Sequence, residues 1–194
     1  MAYNNFYKAK ICMDAFKDVK ATIHDNFGAD NIGDPKREIK VGEIVAPIDA
    51  YVKHMRGQAK KNGQGKDQFG LIKSYSDAAR HFKCGRCMGQ ASMVVIYLLK
   101  KNINCSFIII DMNNGDEHAF VVADAVKPSV GMSLENLGGT PVCDPWLALK
   151  AIVETTDGFG AGATTAVRHS AMLKNLGYSS KIKQCAPLTV LNGG

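Results

Sequence analysis

The chain has no long hydrophobic run. Its longest, "ASMVVIYLL" at residues 91–99, is less than half of the about 20 residues that a membrane-spanning helix needs. The opening "MAYNNFYKAKICMDAFKDVK" has neither an uninterrupted apolar stretch nor a small-residue cleavage site, so no secretory signal or anchor is legible and a cytoplasmic location is expected. Cysteines are too sparse for a disulfide-stapled scaffold: Cys12, Cys84, Cys87, Cys105, Cys143 and Cys185 are scattered through 194 residues, and reduced thiols are expected. The basic stretch "KHMRGQAKKNGQGK", Lys53 to Lys66, carries much of the net +6 charge but has no aromatics. That argues against a nucleic-acid module and for a solvated helix end running into a loop, or for a docking site for an acidic protein. There is no internal repeat and no acidic cluster. "GFGAGATT", from Gly158, lacks the Lys and Ser/Thr of a Walker A loop and reads as a mobile loop. No cofactor and no metal centre is called for.

What is present supports a single α+β domain, with a helical preface over 1–66 and a core over 67–194. Phe6, Ile11, Ala15, Phe16, Val19 and Ile23 recur near the helical period, predicting an amphipathic helix from Tyr3 to Ile23. A loop follows in "NFGADNIGDPKRE". A second helix is expected near Pro47, with Ile48, Tyr51, Val52 and Met55 on one face, ending at "KKNGQGK". "SYSDAARHFK" predicts a short helix capped by Ser74 or Ser76, and a further helix runs from Met88 to Leu99. "CSFIIIDM" and "HAFVVADAV", separated by the turn signal "NNGDE", predict two antiparallel strands. "GTPVCDPW" supplies a third short strand, Thr164 to Leu176 a helix closed by Gly177, and "APLTVL" a final strand. Helices first and strands after point to an antiparallel sheet.

The chemistry concentrates on "KCGRCMGQA". As half of a zinc site, Cys84 and Cys87 lack a second closely spaced pair; as a redox motif, they lack a hydrophobic strand leading into them. A single nucleophile explains more. Cys87 opens a helix, where the N-terminal dipole favours a thiolate and the first-turn amides face a developing oxyanion. A nucleophile needs a base, and the base an orienter. His118 opens one strand, 31 residues on, and Asp144 closes another, 26 residues further, so both can meet the helix at a helix-sheet seam. Trp146 can shield that seam from water. Cys84 is then a spectator, and His24, His54, His81 and His169 are surface or packing residues.

"GRCMGQA", "DEHAFVV" and "VCDPW", in that order, resemble the Cys, His and Asp motifs of papain-like and transglutaminase-like thiol enzymes, closest to compact bacterial effector and toxin domains. The resemblance covers residues 84–147. It implies a catalytic helix packed on an antiparallel sheet, with Cys87 as nucleophile, His118 as general base and acid and Asp144 as orienter. It also implies acyl transfer from an amide of a protein substrate, by proteolysis, glutamine deamidation or transglutamination, in a protein translocated into a host cell. No glutamine occupies the oxyanion-donor position ahead of Cys87; Gln68, Gln90 and His81 are candidates by residue type. The rival from another class is a non-enzymatic module in which "CGRC" binds zinc or packs and the basic segment docks a partner.

Overall fold

The computed structural model describes residues 4–26, 49–54, 68–112, 115–123, 127–148 and 163–190. Helix α1 (Asn5–Thr22) begins where the Asn4 side chain accepts from the Tyr7 amide, an N-cap that removes one of the orphan donors of the first turn. Residues 49–54 are helical, with Val52 buried. A two-residue strand β1 (Asp25–Asn26) follows α1; helix α2 (Gln68–Phe82) leads through Lys83, in the left-handed region at φ 52°, to β2 (Cys84–Gly85), which pairs in parallel with β1. Helix α3 (Cys87–Lys100) follows at once.

Strands β3 (Cys105–Asp111) and β4 (Glu117–Ala123) form the expected antiparallel hairpin, with Asp111 opposite Glu117 and Gly115 at φ 86° in the connection. A short 3₁₀ turn (Leu134–Leu137) precedes β5 (Pro141–Cys143) and the four-residue helix α4 (Pro145–Ala148). Strand β6 (Ala163–Thr165), helix α5 (Ala166–Asn175) and strand β7 (Ile182–Leu188) complete the described chain. The five-stranded sheet runs β6-β5-β4-β3-β7 and every neighbouring pair is antiparallel, as the α+β reading expects.

Side chains alternate across a strand, and both faces of this sheet are covered. Phe107, Ile109, Ala119 and Val121 pack against α1, α2 and α3, while Ile108, Ile110, Phe120 and Val122 pack against the 3₁₀ turn, α4 and α5. Two-sided burial explains why "FIII" and "AFVV" read as continuous apolar runs. Helix α3 is buried from Gly89 through Val95, the pattern of a helix covered on most of its circumference. Its fit against α2 depends on small residues: a Cβ on Gly89 would meet the Ala79 Cβ at 3.2 Å. At Leu98, fully buried, removal from water contributes about 1.5–3 kcal/mol.

Several local expectations are corrected. Ser74 and Ser76 are not N-caps, because α2 starts at Gln68; Ser74 lies inside the helix and donates back to the Gly70 carbonyl at 2.8 Å. The last strand starts at Ile182 and ends at Leu188, not at "APLTVL". It is the sheet's edge, so Lys183 and Gln184 are exposed and blur the apolar signal. The end of "GFGAGATT" is not loop: Ala163–Thr165 pair with Pro141–Cys143 as β6. Phe6, placed on the apolar face of α1, is 71% exposed. Asn113 and Asn114 of the hairpin turn, Ile48 and Met55 of the second helix, most of the "NFGADNIGDPKRE" loop and the linker Lys60 to Lys66 lie outside the described residues.

Candidate active site

Cys87 is the first residue of α3. Arg86 precedes it in extended conformation and makes no side-chain cap, and the first in-helix bond runs from the Gln90 amide to the Arg86 carbonyl at 3.1 Å. The amides of Cys87, Met88 and Gly89 therefore have no carbonyl within the helix to donate to. The Cys87 thiol is half-buried and donates to the Glu117 carbonyl at 3.8 Å, which places it beside the first residues of β4.

His118 follows Glu117 on β4 and is completely buried. Its Nε2 lies 2.6 Å from Asp144 Oδ2, a short charge-assisted contact. Its Nδ1 is buried with no hydrogen-bond partner among the described residues. Burial alone would pull the imidazolium down, but the Asp144 carboxylate, and after it the Cys87 thiol, outweigh this and push its pKa up to about 10. With Nε2 held by Asp144, Nδ1 is the nitrogen left to face the thiol.

Asp144 directly follows β5, the strand next to β4, where Val121 pairs with Cys143. The "DPW" sequence explains its rigidity. Pro145 starts α4, and Asp144 Oδ1 accepts from the Leu147 amide at 3.1 Å in the manner of an N-cap. The carboxyl is held well below its ordinary range. Burial opposes that ionisation and His118, then His169, overcome it. Trp146 sits over the pair, its ring centroid 4.8 Å from that of His118, and is itself buried.

Comparison with family models, curated proteins and solved structures finds no match.

Cys87, His118 and Asp144, selected from sequence, are thus brought to one seam. His169, set aside as a surface or packing residue, is not at the surface: it is fully buried on α5, with Nε2 3.2 Å from Asp144 Oδ2. Its only sequence signal was its place in the C-terminal helix, and nothing there links that helix to "VCDPW". His118, Asp144 and His169 are the one group among the described residues with ligand atoms close enough, all within 4.8 Å, to hold a metal ion; neither Cys84 nor Cys87 belongs to it. Cys84 is buried in β2. The remaining oxyanion candidates are dispersed. Gln90 is buried and donates from Nε2 to the Gly85 carbonyl at 2.8 Å, and His81 is exposed, stacked on Tyr51 with centroids 5.9 Å apart. Gln68 lines a cleft of about 90 Å³ whose other walls include Leu71, Tyr75, Phe107 and Met88, the residue after the thiol.

Proposed function

We propose that the protein is a papain-like or transglutaminase-like thiol enzyme that transfers an acyl group from an amide of a protein substrate, with Cys87 as nucleophile, His118 as base and acid, and Asp144 as orienter. The observation that carries this reading is the division of the His118 ring: Nε2 bonds a buried carboxylate, while Nδ1 is unbonded on a ring that the helix-start thiol acts upon. With His118 as the imidazolium, holding the proton of the Cys87 thiol on Nδ1, Sγ forms a bond to the amide carbonyl carbon. The carbonyl π electrons move to oxygen, where the free amides of the first turn of α3 receive the charge. The intermediate collapses by breaking the C–N bond, and the Nδ1 proton goes to the leaving amine, giving a thioester. Water, deprotonated by His118, then releases the acid and restores the thiol; an amine acceptor in place of water gives a cross-link.

The leaving amine decides the outcome. A peptide bond makes the reaction proteolysis, and a glutamine side chain makes it deamidation. A bacterial effector acting on a host protein is the biological setting that the sequence motifs suggest. No helix among the described residues is long and apolar enough to cross a membrane. A second reading, metal binding by His118, Asp144 and His169, draws on their proximity. The 2.6 Å Nε2 to Oδ2 separation favours the triad, because neighbouring ligand atoms of a tetrahedral zinc site stand about 3.3 Å apart.

The test is mass spectrometry of a cell lysate treated with the wild type and with Cys87→Ala. Cleavage, a gain of about one dalton at glutamine, or a cross-link confined to the wild type supports the proposal and names the reaction. Iodoacetamide supplies a substrate-free control, with half-buried Cys185 as internal comparator. If Cys87 labels no faster than Cys185, the triad reading falls.

A further inference from the structure

Asp144 has two histidine neighbours, and a nucleophile-base-orienter triad uses one. His169 is held in place by more than apolar packing. The Ala166 amide donates to the Thr140 carbonyl at 2.9 Å and Val167 to Gly138 at 3.2 Å, so the start of α5 is fastened to the residues leading into β5, the strand that Asp144 directly follows. Thr165 caps the helix, and the His169 ring meets Phe120 edge-on with centroids 4.6 Å apart. This fixes the ring where its Nε2 reaches Oδ2 at 3.2 Å. Neither ring nitrogen has a well-aligned hydrogen-bond partner among the described residues, and a fully buried imidazole is costly to leave unsatisfied. The nearby Asp144 carboxylate is the group that can resolve this.

We propose that His169, as its Nε2–H tautomer, is a positioning residue: it donates to Asp144 Oδ2 and locks the carboxylate that orients His118. The proposal rests on the acyl-transfer reading of the site. With Leu147 N–H on Oδ1 and two imidazoles on Oδ2, the carboxylate is held from both sides and cannot turn about its Cβ–Cγ bond. A second donor also stabilises the charged carboxylate, so the shared proton stays on His118 through the cycle. His169 touches neither the thiol nor the substrate in this scheme; it acts through Asp144.

Two measurements test it. Nitrogen-15 histidine NMR of the whole protein reads the tautomer directly. His169 is expected protonated at Nε2 and bare at Nδ1, with the Nε2–H signal shifting on Asp144→Asn. A His169 protonated at Nδ1, or an Nε2 carrying stoichiometric zinc in the purified protein, overturns the proposal whether or not Cys87 proves reactive. The second is the iodoacetamide rate at Cys87 near neutral pH. His169→Phe, which keeps the ring volume and removes the donor, is expected to slow labelling about tenfold, and His169→Gln, which keeps an N–H at the Nε2 position, to restore most of it. Unchanged labelling in His169→Phe, or equal loss in both variants with native circular dichroism, sinks the idea; if His169→Phe does not fold, the tautomer and the Gln variant still decide it. Failure of wild-type Cys87 to outpace Cys185 counts against the triad itself.

Discussion

The two faces of β4 have the same strand geometry and different contents. Ala119, Val121 and Ala123 face α1 and α3 among apolar neighbours, whereas His118, Phe120 and Val122 face α4 and α5, with His118 beside Asp144 and His169. Both faces exclude water. One uses that exclusion to hold helices to the sheet, and the other uses it to strengthen a carboxylate-imidazole contact that solvent would screen. A buried polar cluster is a poor way to gain stability, since its desolvation offsets much of its attraction. Its presence opposite an ordinary core is what supports the proposed catalytic reading of that face.

Substitutions on the two faces should therefore separate reactivity from stability. The largest effect is expected from His118→Ala, which removes the proposed base: Cys87 alkylation near neutral pH, followed by mass spectrometry, should slow by about 10²- to 10⁴-fold. Unaltered labelling would move the base elsewhere.

Asp144→Asn should cost about 3 kcal/mol of unfolding free energy in urea, as expected for breaking a buried charged pair. The cost should also depend on pH. His118 is raised from 6.5 to about 10, so its share is fully present below pH 6.5 and is lost as pH rises towards 10. Asp144 is lowered, so its share is present above its ordinary value of 3.8 and fades only as pH falls below it. The wild-type advantage over Asp144→Asn should peak between about pH 4 and 6.5 and shrink steadily to pH 10. A difference flat across that range would mean that the pair is not ionised.

Val121→Ala, three residues along β4 from His118 and on the opposite face, should cost about 2 kcal/mol in urea and leave Cys87 labelling unchanged below the transition. The smallest effect belongs to Gly89→Ala. The new methyl crowds Ala79 at 3.2 Å, but the better helix propensity of alanine offsets the strain, leaving a net change within about 1 kcal/mol by thermal unfolding. A much larger loss would show that the α2–α3 approach has no slack and that the thiol's helix is held more tightly than its neighbours suggest.

Legibility followed the range of the interactions. Helix α1, the hairpin of β3 and β4 and the start of α3 are set by local period, caps and turn residues, and they stood where the sequence put them. Strand β7 was misplaced because it is a sheet edge whose exposed Lys183 and Gln184 interrupt the pattern, and β6 was missed because a run of three residues is too short to show one. Within the site, Cys87, His118 and Asp144 were legible because each sits at the end of a recognisable element. His169 was not, since it is mid-helix and becomes special only when α5 is fastened beside β5.

The sequence by itself determined the α+β class, the order of the longer helices and of strands β3 to β5, and the three residues proposed as nucleophile, base and orienter, because local propensity and side-chain chemistry are carried by neighbouring residues. Tertiary structure alone decided which imidazole nitrogen meets the carboxylate, that the contact is dry, and that a second histidine shares it. Those depend on residues 25 to 51 positions apart, on separate strands and helices, meeting face to face, and such meetings leave no periodic trace in the chain.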